Sequence, residues 1–146
     1  MPNGSWMPTS GAEVLPSRVV LDTSAYSQLR HGETRVLDAV ADAETLLVPV
    51  TVLGELEAGF RAGSRYQENR RALEELLDEP YVEVVDVSSD MARGYGEIFA
   101  ALRRAGTPIP TNDIWIAAAT LHSGGHLITF DADFGRIAGL PHTLYR

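Results

Sequence analysis

The sequence predicts an α/β fold, a single domain built on a mostly parallel sheet with helices over both faces. Three observations carry that expectation. Short apolar runs rich in Val and Leu alternate along the chain with longer stretches whose apolar residues recur at helical spacing. The runs, such as Val19-Val-Leu21, are apolar without interruption, as in strands buried on both faces. The 146 residues, 45% hydrophobic and 22% charged, suffice for one core and exclude a disordered chain.

The elements follow in order. Arg18-Val-Val-Leu-Asp22 reads as the first strand, and Thr23 or Ser24 as the cap of a short helix carrying Tyr26 and Leu29. His31-Gly32 breaks that helix, and Val36, Leu37, Val40 and Ala41 give a second one from Glu33 to Ala43. Thr45-Leu-Leu-Val-Pro49 is a strand, Thr51 to Ala62 a helix closed by Gly63, and Tyr66 to Leu77 another helix. Tyr81 to Asp86 is the third strand. Ser88 or Ser89 caps a long helix whose apolar face is Met91, Tyr95, Ile98, Phe99 and Leu102. After the loop Gly106–Pro110 a helix runs from Asn112 to Leu121, apolar almost all round and therefore central. Ser123-Gly-Gly125 turns into the strand His126–Thr129; a short element at Asp133–Ile137 and a last strand, Thr143–Tyr145, complete the domain at residues 18–146. Residues 1–17, with Pro2, Gly4, Pro8, Gly11 and Pro16, read as a flexible leader. They lack the basic start and apolar run of a secretory signal, and no stretch of the chain approaches a membrane span, so a cytoplasmic location is expected.

Composition excludes several chemistries. With no cysteine there is no disulfide, thiolate nucleophile or zinc finger. All 12 basic residues are arginine, and without lysine there is no Schiff base, P-loop or lysine-dependent phospho-aspartate site. The formal charge of −8 argues against broad coating of nucleic acid, but acids gathered at a metal site also count toward it.

Ligands of parallel α/β sheets bind outside the carboxyl ends of the strands, and acids fall there repeatedly. Asp22 ends the first strand, Glu55 lies in the first turns of the helix after the second, and Asp131 and Asp133 follow the fourth. Asp113 opens the buried helix, and joins the others only if the loop before it folds back over the strand ends. Singly each has an ordinary reading: Asp22 as a turn residue or cap, Glu55 as a surface acid, Asp113 as a partner of the helix dipole, Asp131 and Asp133 as turn residues. Jointly, carboxylates without lysine partners repel one another unless a hard cation neutralises them. Oxygen-only ligands select Mg2+ or Mn2+ over zinc or copper, and such a site suits in-line attack of a metal-activated water on a phosphodiester.

The same residues carry a family resemblance. Val19-Val-Leu-Asp-Thr-Ser-Ala-Tyr26 resembles the opening of a PIN domain, and of the VapC toxins in particular. Val48–Gly59, with Glu55, is similar to the second motif of that family, Ile109–Ala118, with Asp113, to the third, and Leu127–Phe134 followed by Ile137–Leu140, with Asp131 and Asp133, to the fourth. The motifs stand in the family's order and span almost all of the chain after residue 17. The resemblance implies a three-layer domain with a five-stranded parallel sheet, and a Mg2+-dependent endoribonuclease acting as the toxin of a type II toxin–antitoxin pair. It implies RNA as substrate (tRNA, rRNA or mRNA), a homodimer, and a VapB-type antitoxin docking over the active site. By the same resemblance Asp22 and Asp113 are primary metal ligands. Glu55 completes the shell or orients the attacking water, and Asp131 holds a second ion or bound water with help from Asp133. Thr23, Ser24, Thr111, Asn112 and Thr129 are candidate donors fixing these carboxylates; capping or turn chemistry is at least as good a reading for each.

Other features have plainer readings. His122 and His126 are spaced like a metal pair, but Gly124-Gly125 breaks the helix that would align them; His31 and His142 are expected to face solvent. Trp115 and Tyr26 read as core or interface residues. The arginines at 61, 65, 70 and 71, and the Arg103-Arg104 pair, suit phosphate contact or a solvated helix surface with i,i+4 pairs such as Arg70–Glu74 and Arg71–Glu75. A haloacid-dehalogenase-like phosphatase using Asp22 is disfavoured, since that chemistry wants an aspartate at position 24, where this chain has Ser24, and a lysine. Two alternatives stay open: an inactive PIN-like module that binds RNA or protein, and a PIN ribonuclease of RNA maturation without an antitoxin.

Overall fold

A strand that alternates apolar and polar residues has one wet face; Val19, Val20 and Leu21 do not alternate, and all three are buried at the centre of a five-stranded sheet. The computed structural model describes residues 16–146, so the leader expected at residues 1–17 lies almost wholly outside the described residues. The strands are β1 (Arg18–Leu21), β2 (Thr45–Pro49), β3 (Val82–Val85), β4 (His126–Thr129) and β5 (His142–Leu144). Their order is β3-β2-β1-β4-β5, and every neighbouring pair is parallel. The helices are α1 (Thr23–Arg30), α2 (Thr34–Asp42), α3 (Val50–Ala62), α4 (Tyr66–Leu77), α5 (Ser89–Ala105) and α6 (Thr111–Ser123), with a 3-10 turn at Ala132–Arg136. Boundaries agree with the sequence reading to within about two residues, the ordinary uncertainty of helix and strand ends.

This order fixes where a site can form. From β1 the chain winds outward through β2 to β3, then crosses back to lay β4 on the other side of β1. The carboxyl ends of β1 and β4 therefore flank the point where the winding reverses, the crevice in which open α/β sheets bind ligands. The crossover is carried by α5 and α6, which pack as a pair. Ile114, Ile116 and the run Ala117–Thr120 of α6 are buried, as expected of its continuous apolar surface. Half-buried Trp115 stacks on Tyr95 of α5 with ring centroids 4.3 Å apart. Phe99 departs from the apolar face expected of α5. It is 40% exposed, on the rim, while Met91, Ile98 and Leu102 turn inward.

Two adjacent glycines bring the chain from α6 into β4. Gly124 adopts φ +68°, a conformation that side chains disfavour, and ends the helix. Gly125 is required by space instead: a Cβ there would lie 2.6 Å from Val20 Cγ2 and 3.2 Å from Leu47 Cδ1, both in the buried centre of the sheet. Gly125→Ala should cost about 1–3 kcal/mol of stability, the usual penalty of overpacking. Denaturant melts read this directly, and an unchanged midpoint would mean that β1 and β2 shift freely.

Candidate metal centre

Asp22 follows β1 and is itself the N-cap of α1, one of the readings its position offered, in place of Thr23 or Ser24. Its Oδ1 accepts hydrogen bonds from the Ala25 amide at 2.8 Å and from Ser24 Oγ at 2.7 Å. Its Oδ2 accepts from Thr129 Oγ1 of β4 at 2.5 Å. Thr129 Oγ1 in turn accepts from the Asp131 amide at 2.9 Å, and Ser24 Oγ accepts from the Phe130 amide at 3.0 Å. The ends of β1 and β4 are thus stitched together around one carboxylate that is 3% exposed. Burial raises the Asp22 pKa; the bonds from Thr129, Ala25 and Ser24 oppose that, and the neighbouring Asp131 charge adds to it.

Glu55 enters from α3. One carboxylate oxygen accepts from Thr23 Oγ1 at the start of α1, and the other from Asn112 Nδ2 at the start of α6. A side chain held on both oxygens by two other helices has a set direction. Asp113, in the first turn of α6, is 8% exposed, and the loop before it does fold back over the strand ends. Asp113, Asp131 and Asp133 each place one carboxylate oxygen within 4.8 Å of the others. Burial, then the charges of Asp131, Glu55, Asp22 and Asp133 in that order, push the Asp113 pKa up to about 7. One buried acid thus senses all four of the others.

The structure therefore gathers Asp113, Asp131 and Asp133 most tightly, with Asp22 and Glu55 beside them, each already braced by hydrogen bonds. Sequence reasoning missed Arg136, which pairs with Asp133 at 3.3 Å on the outer side of the cluster. Its i,i+3 spacing from Asp133 was the available signal. Thr23, Ser24, Asn112 and Thr129 all donate to a carboxylate of the group, whereas exposed Thr111 makes no such bond among the described residues. The donor set fits a hard divalent cation: it offers carboxylate oxygens only, and the strained protonation of Asp113 is what a cation would relieve.

Thr129 gives a direct test of the bracing. Thr129→Val removes the donor to Asp22 and the acceptor of the Asp131 amide inside a fully buried site. A loss of about 1–3 kcal/mol is expected, with recovery in Thr129→Ser. Equal stability of the valine and serine variants would exclude the hydroxyl as the brace.

Other candidates resolve differently. His126 Nε2 lies 2.8 Å from Thr143 Oγ1, and burial, then His142, lower the His126 pKa. His142, expected to face solvent, is half-buried in β5 with Nδ1 2.8 Å from the Leu140 carbonyl. In β5 it stands opposite Leu127 of β4. Arg70 pairs with Glu74 at 3.4 Å, as the i,i+4 spacing suggests, and Arg61 pairs with Glu57 at 2.6 Å; among the described residues Arg71 makes no bridge to Glu75. No helix among the described residues is long and apolar enough to cross a membrane.

Comparison with known proteins points in one direction. The family model of the PIN domain matches residues 19–140. Ribonuclease VapC5 of Mycobacterium tuberculosis is 30% identical over 124 residues, covering 85% of this chain and 90% of that protein. The solved structure of VapBC-1 from nontypeable Haemophilus influenzae superposes with a TM-score of 0.77 at 26% identity, over 87% of this chain and 97% of that one. VapBC-5 of M. tuberculosis, a member of the VapBC family of toxin-antitoxin systems, gives 0.69 at 27% identity, over 90% and 99%.

Proposed function

Since the chain belongs to the PIN-domain family, within its VapC group, we propose that it is a metal-dependent endoribonuclease, the toxin of a type II toxin–antitoxin pair. The observation that carries this reading is the convergence of Asp113, Asp131 and Asp133, flanked by Asp22 and Glu55, on the crevice between β1 and β4. Similarity to VapBC complexes supports a VapB-type antitoxin as partner and a homodimer as the working unit, with cytoplasmic RNA as substrate.

The residues that would hold Mg2+, or Mn2+ in its place, are Asp22, Glu55, Asp113, Asp131 and Asp133. When bound, the ion supplies activation of water and neutralises charge developing on the phosphodiester. The chain's own contribution is orientation. Thr129, Ser24 and the Ala25 amide fix the Asp22 carboxylate, and the Asp133 amide, 2.9 Å from Asp131 Oδ1, fixes Asp131. Thr23 and Asn112 hold Glu55 facing the crevice, where it orients the attacking water. In-line displacement would form the bond from the water oxygen to phosphorus as the bond to the leaving sugar oxygen breaks, the water giving up its proton to solvent and the leaving oxygen taking one from solvent.

The purified protein should cleave cellular RNA with Mg2+ or Mn2+ and stop in excess chelator. Sequencing of the cut ends identifies which RNA it takes. Undiminished cleavage in chelator would sink the metal site, and binding of RNA without cleavage at any metal concentration would leave an inactive binding module.

A further inference from the structure

Away from the carboxylates, α1, α3 and α4 enclose a polar cavity of about 340 Å³. Tyr26 lines it, only 5% exposed, and its hydroxyl is buried with no hydrogen-bond partner. A buried hydroxyl without a protein partner is unfavourable, and such a group calls for a partner from outside the chain, such as water or a ligand. The rim carries Arg30, His31 and Arg65, with Glu68 as the opposing charge and Asn69 as a neutral donor. The neighbouring arginines are committed: Arg61 to Glu57, Arg70 to Glu57 and Glu74. Arg30 and Arg65 form no ion pair among the described residues, although the chain has a net charge of −8.

The cavity and the metal centre are built on the same two helices, α1 and α3. Thr23, which holds Glu55, begins the helix that carries Tyr26 and Arg30, and Leu56, next to Glu55, lines the cavity. At about 1.5 Å per residue, Tyr26 lies about one turn and Arg30 about 10 Å along α1 from Thr23. A nucleic-acid strand with one phosphate at the carboxylates can therefore rest another here. We propose that this cavity is a phosphate subsite for the RNA strand, with Arg30 and Arg65 as the forks that grip the phosphate and the Tyr26 hydroxyl as a neutral donor beneath. The assignment deepens the ribonuclease reading and rests on it for the identity of the strand. Guanidinium groups suit a phosphate by their fixed donor geometry, and Asn69 can add a further bond.

Two measurements on the full chain test it separately from the nuclease activity. Inorganic phosphate, titrated against the metal-free protein by NMR, should shift the His31 ring signals, and Arg30→Gln/Arg65→Gln should abolish that shift. Both arginines are exposed, so the variant should melt with wild type. With an oligoribonucleotide, the double variant should raise KM about ten-fold with kcat nearly unchanged, and Tyr26→Phe should raise it by a smaller factor. The dependence of log KM on log salt should flatten by about 0.7, one single-strand phosphate contact. Arg93→Gln, on exposed α5 surface, should change none of these. A wild-type protein that takes up phosphate here but cuts no RNA would remove the ribonuclease reading and keep the anion site. Unchanged phosphate shifts and unchanged KM in the double variant would overturn the subsite. So would a fall in kcat alone, or a variant that loses only the antitoxin.

Discussion

Asp113→Asn will lower RNA cleavage by more than the roughly 10–100-fold that loss of a residue merely supporting a metal ligand brings. The reason lies in the geometry of α6. Its first turn holds Asp113 at 8% exposure among the charges of Asp131, Glu55, Asp22 and Asp133. Asparagine keeps the shape but offers a neutral oxygen, so the cluster loses a charge at a buried point that senses all four other acids, where a divalent ion gains from it. Asp22→Asn should be comparably severe. Thr23→Val and Asn112→Ala should fall within the roughly 10–100-fold range, because they act only through the direction of Glu55. Single-turnover cleavage at saturating Mg2+, with circular dichroism to confirm folding, measures each. An Asp113→Asn protein that cuts at the wild-type rate would take Asp113 out of the site.

The same substitution should make the metal-free protein more stable, and the sign follows from linkage. In the folded protein Asp113 titrates at about 7, raised from 3.8. Between those values the native state holds a proton that the unfolded chain has released, so stability falls as pH rises through the window and the loss is complete above it. Below the ordinary aspartate value the two states bind the proton equally and the penalty vanishes. Asp113→Asn removes this dependence. Near pH 8 in chelator it should gain up to about 4 kcal/mol, the whole of the shift from 3.8 to about 7 at about 1.4 kcal/mol per unit, and Tm should rise by about 10 °C. It should also shrink the stabilisation brought by Mg2+, which acts by binding the native state alone. If Asp113 served only the helix dipole, losing its charge would instead cost about 0.3–1 kcal/mol with or without metal. Melts of both proteins at pH 5 and pH 8, in chelator and in Mg2+, separate the two outcomes.

Asp22 shows how capping and function become entangled in a sequence. By itself it reads equally as a helix cap or as a site residue; in the structure Oδ1 caps α1 while Oδ2 accepts from Thr129 on β4. The cap was legible because it is made within three residues. The bond to Thr129 spans 107 positions and was not.

Local chemistry in the sequence sufficed for the elements themselves. Val19-Val-Leu21 reads as a strand buried on both faces, α6 as a central helix, and the alternation of such pieces as a parallel sheet whose strand ends carry Asp22 and Asp131, and the structure agrees. These properties depend on periodicity and burial over a few neighbouring residues, which any stretch of chain carries with it. Tertiary structure alone decided which acids share a charge environment: that the loop after α5 returns Asp113 to Asp131 and Asp133, that Thr23 and Asn112, 32 and 57 positions from Glu55, claim its two oxygens, and that Arg136 covers only Asp133. Coulomb interactions and hydrogen bonds depend on separations of a few ångströms between groups remote in the chain, and those separations exist only once the core has packed.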